Sequence, residues 1–314
     1  MSLERALELA ERGRDTTHPN PVVGAVLVRD GEVVGEGWHE RKGGPHAEVA
    51  ALEEAGARAE GATLYVTLEP CSHHGSTPPC ADALLAAGVA RVVAGSADPN
   101  PRVAGFERLR RAGVDVELAE GEPARRARRQ NEAYRTWMAE GRPFVTYKAA
   151  VTLDGRMTVP GTRWVSGEES RLEVHRLRAR SDAVAVGMGT LLADRPRLTA
   201  RGVPVVRQPR RLVFGRGPLP EGSELELRTG PLEEEMCLLA QEGVQSLLLE
   251  GGPTLAASFL AAGLVDKLLV FVAPRLSGSG SSLVPSLPAP LTVSGLVAEG
   301  SGEDLLLSAY VHEP

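Results

Sequence analysis

The chain has 314 residues, enough for two hydrophobic cores at about 100–200 residues per domain. Its 42% hydrophobic and 24% charged content is that of an ordinary globular protein, and a formal net charge of −6 with no long basic run argues against nucleic acid as a partner. No run approaches the roughly 20 apolar residues that cross a bilayer, and three cysteines, Cys71, Cys80 and Cys237, are too few for a disulfide framework.

In chain order, Leu3 to Gly13 carries apolar residues at Leu3, Ala6, Leu7 and Ala10, a helical spacing. The charged start, Glu4 and Arg5, lacks a signal-peptide apolar core, so a cytoplasmic protein with no membrane partner is expected. Val22–Val28 and Val33–Trp38 flank an Asp-Gly turn and predict a β-hairpin. His46–Gly56 predicts a helix, Ala62–Leu68 a strand, Pro78–Ala87 a helix and Arg91–Gly95 a strand. Phe106–Ala112 predicts a short helix, and Val114–Leu118 closes the set with a strand. This alternation predicts a three-layer α/β domain. Gly121–Glu140 reads as one polar connecting helix, and its arginines Arg125, Arg126, Arg128 and Arg129 as a solvated face. From Pro143 a second α/β domain is expected. Its strands are Phe144–Val151, Ala183–Val186, Arg211–Phe214, Ser246–Leu249 and Lys267–Val272, and its helices Ser170–Arg180 and Leu255–Ala262. The domains are thus read as 1–142 and 143–314.

The residues with the most specific chemistry are His46, Glu48, Cys71 and Cys80. One imidazole and two thiolates suit Zn2+ and leave one coordination position open, the catalytic rather than the structural pattern. The helix expected after each cysteine would help keep its sulfur deprotonated. Glu48, two residues from His46 at a helix start, is placed to move protons between water, a ring nitrogen and a leaving amine. Zinc deaminases carry H-x-E followed by P-C-x-x-C. Here the first part matches, but eight residues separate the cysteines. A structural zinc site completed by His73 or His74 is the competing reading.

That long interval, in Thr67-Leu68-Glu69-Pro70-Cys71 through Pro78-Pro79-Cys80, resembles the bifunctional riboflavin-biosynthesis deaminase/reductase family. So do His18-Pro19-Asn20-Pro21-Val22-Val23-Gly24, Gly44-Pro45-His46-Ala47-Glu48 and Asp98-Pro99-Asn100-Pro101. Past residue 142, Arg142-Pro143-Phe144-Val145-Thr146-Tyr147-Lys148, Leu153-Asp154-Gly155, Leu191-Leu192-Ala193-Asp194 and Glu250-Gly251-Gly252-Pro253-Thr254 continue the match. The resemblance implies a cytidine-deaminase-like domain followed by a dihydrofolate-reductase-like domain. The first would deaminate 2,5-diamino-6-ribosylamino-4(3H)-pyrimidinone 5′-phosphate. The second would reduce the ribosyl chain with NADPH to give 5-amino-6-ribitylamino-uracil 5′-phosphate. The expected partner is therefore a small phosphorylated pyrimidine, and the expected assembly a homo-oligomer.

Carried over residue by residue, the resemblance assigns Asn20 and His39 to the deaminase substrate. It assigns Thr162, Arg178, Leu198, Arg201 and Glu250 to the reductase substrate. NADPH would meet Ala150, Trp164, Thr190, Asp194 and the segment Gly252, Pro253, Thr254, Leu255, Ala256, Ala257 and Ser258. No G-x-G-x-x-G follows a strand, so a Rossmann site is not expected. The strand–turn–helix at Leu247–Thr254 is the candidate cofactor-phosphate site instead. The chain departs from the family pattern at Ser76, where a basic residue is usual, at Gly105-Phe106, where a glycine-rich turn is shortened, at Arg195, and in Gly215–Pro231, which looks short of a strand. A monofunctional deaminase with a degenerate C-terminal domain is therefore the alternative; a nucleic-acid deaminase is disfavoured by the acidic charge and few aromatics.

Overall fold

The computed structural model describes residues 2–73 and 78–314. His74 and Ser76 therefore lie outside the described residues. The chain forms two compact units, one running to Glu140 and including Pro314, the other spanning Gly141–Glu313.

The first unit is built from α1 (Ser2–Glu11), β1 (Gly24–Arg29), β2 (Glu32–Trp38), α2 (Ala47–Ala55), β3 (Thr63–Val66), α3 (Cys80–Ala86), β4 (Arg91–Ala94), α4 (Gly105–Arg111), β5 (Asp115–Leu118), α5 (Gly121–Gln130) and α6 (Glu132–Glu140). Its sheet runs β2-β1-β3-β4-β5. The first three strands are antiparallel neighbours; β3, β4 and β5 are parallel. The β1–β2 hairpin turns through Asp30 and Gly31, both at positive φ, the type I′ geometry that suits strand twist. Strand alternation sorts β1 between two layers. Ala25 and Leu27 join the core with α2, α3 and α4, whereas Val26 packs against Leu3, Ala6 and Leu9 of α1.

The continuous helix expected over Gly121–Glu140 is two helices, interrupted at Asn131. The cause is tertiary. The buried Asn131 amide accepts from Val22 N–H and donates to Val22 C=O, both at 2.9 Å, like an added strand residue. This clamps the segment that carries Asn20.

The second unit comprises β6 (Phe144–Thr152), α7 (Glu168–Arg180), β7 (Ala183–Gly187), α8 (Met188–Asp194), β8 (Arg210–Phe214), β9 (Glu226–Arg228), α9 (Leu232–Gln241), β10 (Ser246–Leu249), α10 (Pro253–Ala261), β11 (Lys267–Ala273), β12 (Ser294–Ser301) and β13 (Asp304–Tyr310). Its eight strands run β12-β13-β11-β6-β10-β7-β8-β9. From β11 to β9 neighbours are parallel, and β12 and β13 add an antiparallel edge. Ala183 and Ala185 of β7 face the core with Met236 of α9 and Phe259 of α10. Val184 and Val186 face the opposite core with Leu191 of α8. The stretch Gly215–Pro231 carries the three-residue β9. Helices α8 and α9 and the β12–β13 pair were not anticipated.

Candidate active sites

In the first unit, His46 is the N-cap of α2, with extended backbone (φ −74°, ψ 159°) that frees its ring from the helix. Glu48 follows in the first helical turn and is buried. Cys71 lies beyond β3, and Cys80 opens α3. His46 Nδ1 stands 3.2 Å from Cys80 Sγ and 3.6 Å from Cys71 Sγ, and the three donor atoms all lie within 4.8 Å of one another. Zn–S bonds of about 2.3 Å and a Zn–N bond of about 2.0 Å give a tetrahedron whose N···S edge is about 3.5 Å and S···S edge about 3.8 Å. The donor set therefore fits zinc in both chemistry and spacing. It brings together all three ligands expected from sequence, with no fourth protein donor in the cluster among the described residues.

One expectation is corrected: among the described residues no helix starts directly after Cys71. Instead α3 serves both sulfurs, because the Cys80 backbone N–H donates to Cys71 Sγ at 3.3 Å. The Cys80 side chain beside it, together with His46 and that N–H, pulls Cys71 down to about 4 against the cost of burial, into the thiolate form that binds metal. Burial pushes the Glu48 carboxyl up, the direction wanted in a proton carrier. Gly37 of β2 and Gly105 of α4 hold these parts close. A Cβ on Gly37 would lie 2.3 Å from Ala47 O in α2, and one on Gly105 1.8 Å from Pro70 O, next to Cys71.

These groups open on a cavity of about 430 Å³, whose walls include Asn20 and His39. His39 Nδ1 lies 2.9 Å from Pro45 O, so it carries the proton, and Nε2 accepts from Asn20 Nδ2 at 3.2 Å. Burial pushes the His39 pKa down, keeping this tautomer neutral. The Asn20 amide is thereby oriented, its Nδ2 turned to His39. Sequence reasoning did not single out Glu69, Asp98 and Tyr134, which also face the cavity. Asp98 was visible only inside Asp98-Pro99-Asn100-Pro101. His73 lines the cavity and does not join the ligand cluster.

In the second unit, Arg178 of α7 and Glu250 after β10 form a buried bidentate pair at 2.6 and 2.8 Å. Burial pushes the Glu250 carboxyl up, but the Arg178 guanidinium outweighs it and holds the group below its usual value. Lys148 of β6 lies beside this pair, and burial lowers its pKa. Arg178 also donates to Thr199 O at 3.2 Å. Thr199 Oγ1 accepts from the exposed Arg201, whose own N–H meets His175 Nδ1 at 3.3 Å. Leu198 is buried at positive φ (56°), so it shapes this loop from within. Arg178, Leu198, Arg201 and Glu250 thus come together.

On the cofactor side, Gly252 caps α10, Pro253 opens it, and Gly252 N–H donates to Thr190 Oγ1 at 3.2 Å. Gly252 N–H is thus engaged and Pro253 has none, so Thr254 and Leu255 carry the N–H groups this helix start can offer a phosphate. Thr254 lies exposed in the first turn, and Ser258 donates to its carbonyl at 3.1 Å. Leu255 packs against the core, Ala256 is fully buried in it, and Ala257 is half-buried. Asp194 ends α8, and Ala150 pairs with Phe271 across β6–β11. Thr162 and Trp164 sit on an exposed loop. Thr162 bonds to Val159 O, and Trp164 is flanked by Arg163 and Arg171.

Residues 143–307 match the family model of the RibD C-terminal domain, and residues 2–96 that of the cytidine and deoxycytidylate deaminase zinc-binding region. The riboflavin biosynthesis protein RibD of Escherichia coli is 43% identical over 91% of this chain and 90% of its own length. That of Aquifex aeolicus is 40% identical over 97% and 96%. The structure of Acinetobacter baumannii RibD, form 1, is similar with a TM-score of 0.87 at 35% identity, covering 98% of this chain and 97% of the other. A diaminohydroxyphosphoribosylaminopyrimidine deaminase/5-amino-6-(5-phosphoribosylamino)uracil reductase from Thermotoga maritima gives 0.83 at 33%, with the same coverage. The two units are accordingly a cytidine-deaminase-like and a dihydrofolate-reductase-like α/β fold, and the chain belongs to the RibD family of bifunctional riboflavin-biosynthesis deaminase/reductases.

Proposed function

We infer that the two units catalyse successive steps on one small molecule. The first, assigned to residues 1–142, deaminates 2,5-diamino-6-ribosylamino-4(3H)-pyrimidinone 5′-phosphate. The second, assigned to 143–314, reduces the ribosyl chain to ribityl. The observation that carries this reading is the His46–Cys71–Cys80 cluster with buried Glu48 beside it, opening on a cavity of about 430 Å³.

His46, Cys71 and Cys80 would hold a zinc ion, which would supply a water acidic enough to attack near neutral pH. Glu48 is placed to take a proton from the attacking water and deliver it to the ring nitrogen, then to take the remaining hydroxyl proton and deliver it to the amine as the C–N bond breaks and the carbonyl forms. Its burial keeps those transfers away from bulk solvent. Asn20, oriented by His39, accepts an N–H of the pyrimidine and turns the ring toward Glu48.

In the second unit, NADPH supplies hydride when bound. The α10 N-terminus and Thr190 form the seat for its phosphates, with Ala150, Trp164 and Asp194 as further contacts. Arg178 is turned onto Glu250, so Arg201, with exposed donors, is the better partner for the substrate phosphate. Glu250 and Lys148 then face the sugar chain, where the lysine can give a proton to the ring oxygen that leaves C1′ as hydride arrives there. Thr162 and Leu198 complete the substrate wall. Cytoplasmic location and homo-oligomeric assembly accompany this reading.

The test is direct. Purified protein should contain zinc, release ammonia from the diaminopyrimidinone phosphate, and oxidise NADPH with the deaminated product. Glu48→Gln should retain zinc and reduction but lose deamination, because the ligand cluster survives and the proton carrier does not. Ammonia release at the wild-type rate by that variant would refute the assignment.

A further inference from the structure

Among the described residues, three carboxylates face the cavity of the first unit: Glu48, Glu69 and Asp98. Glu48 stands at the metal cluster. Glu69 is consumed by the backbone, with Oε1 accepting from Phe106 N–H at 2.9 Å and Oε2 from Asp98 N–H at 3.3 Å. Asp98 is different. Its Oδ1 accepts from Asn100 N–H at 2.8 Å and from the Tyr134 hydroxyl at 3.0 Å, whereas among the described residues Oδ2 receives the longer, 3.3 Å contact from that same hydroxyl. Oδ2 is thus the carboxylate oxygen best able to accept from a molecule in the cavity.

The group that aims it comes from α6. Tyr134 turns the carboxylate, and the neighbouring Arg135 donates to Ala97 O at 2.8 Å, pinning the loop that carries Asp98. Trp137 and Met138 continue the same wall. Both Asp98 and α6 lie beyond residue 96, where the match to the general deaminase zinc-binding region stops. On the cavity wall Asp98 and Tyr134 stand apart from the cluster His46, Cys71 and Cys80. A diaminopyrimidinone bearing a ribosylamino group has N–H donors besides the amine that is released, and a partly free carboxylate oxygen is the acceptor such a donor selects.

We propose that Asp98 is a substrate-recognition residue of the deaminase site, its Oδ2 accepting a pyrimidine N–H other than the departing amine, and that Tyr134 is the positioning residue that aims it. This rests on the deaminase reading above.

The experiment measures deamination kinetics and zinc content for Asp98→Asn, Tyr134→Phe and the double variant in the full-length protein. A hydrogen bond to a charged group predicts that Asp98→Asn raises KM about tenfold or more with kcat within about threefold. Tyr134→Phe, which keeps the ring and loses only the hydroxyl, should raise KM about threefold or more in the wild-type background and less than about twofold in Asp98→Asn. Zinc content should stay at the wild-type level in all three. Unchanged KM in both single variants, a loss confined to kcat, or independent effects in the double variant would overturn the proposal. If Asp98→Asn does not fold, Tyr134→Phe decides alone: unchanged KM overturns it. Zinc-loaded wild-type protein that released no ammonia would instead overturn the deaminase assignment itself.

Discussion

The close packing of β2 on α2 makes Gly37→Ala a sharp test of how the deaminase centre is held. The added Cβ would stand 2.3 Å from Ala47 O, 2.6 Å from Ala51 N and 2.9 Å from Ala50 Cβ. Non-bonded carbon contacts settle at about 3.5 Å, so strand and helix must part by about 1 Å. The obstacles are mainly helix backbone, which no rotamer change relieves. The cost therefore belongs near the upper end of the overpacking range, about 3 kcal/mol. At roughly 4 °C per kcal/mol for a domain of this size, the melting temperature should fall by about 10 °C. The same displacement moves His46, which caps α2, and Glu48 in its first turn. A misplacement of about 1 Å at reacting groups costs about 100-fold in rate. Differential scanning calorimetry and ammonia release would be read together, with Gly300→Ala as control, since a Cβ there meets nothing within 4 Å. A Gly37→Ala protein melting within about 2 °C of wild type and deaminating at its rate would refute the inferred coupling between this contact and the centre.

Three further outcomes are expected. Cys80→Ser should strip zinc measured by metal analysis and abolish deamination while NADPH oxidation persists, because a serine hydroxyl is a poor substitute for thiolate. Arg178→Ala takes from the Glu250 carboxylate its bidentate partner and leaves Lys148 nearby. It should destabilise the second unit by about 3–5 kcal/mol in denaturant titration and end reduction, with deamination retained. Asp154 accepts from Thr152 Oγ1, Ser277 N–H and Gly278 N–H, which hold its carboxyl down at about 2. A depressed folded pKa stabilises above the unfolded value of about 3.9 and stops doing so as pH falls toward 2. The stability gap between wild type and Asp154→Asn should therefore be full at neutral pH and close on acidification; a gap independent of pH would contradict it.

The parts of this molecule that were legible in its sequence are those whose evidence is local or chemical. His46, Cys71 and Cys80 were found because few residue types bind zinc, and their identities survive any uncertainty about element boundaries. The β1–β2 hairpin was legible because Asp30-Gly31 favours one turn geometry between alternating strands. Helix α9 could have been found, since Pro231 precedes three glutamates in its first turn and Gly243 follows its end. The β12–β13 pair was harder: Gly295, Gly300 and Gly302 break its apolar alternation, and β13 is held by pairing with β11 rather than by its own pattern. Asn131 shows the deeper difficulty. Helical propensity runs through residues 121–140, and what interrupts it is a main-chain partner at Val22, 109 positions away. Tyr134 and Asp98, 36 residues apart, likewise acquire meaning only from each other. Residues that bind a metal thus announce themselves by type, whereas residues that aim them, or aim the substrate, are ordinary side chains selected by long-range geometry.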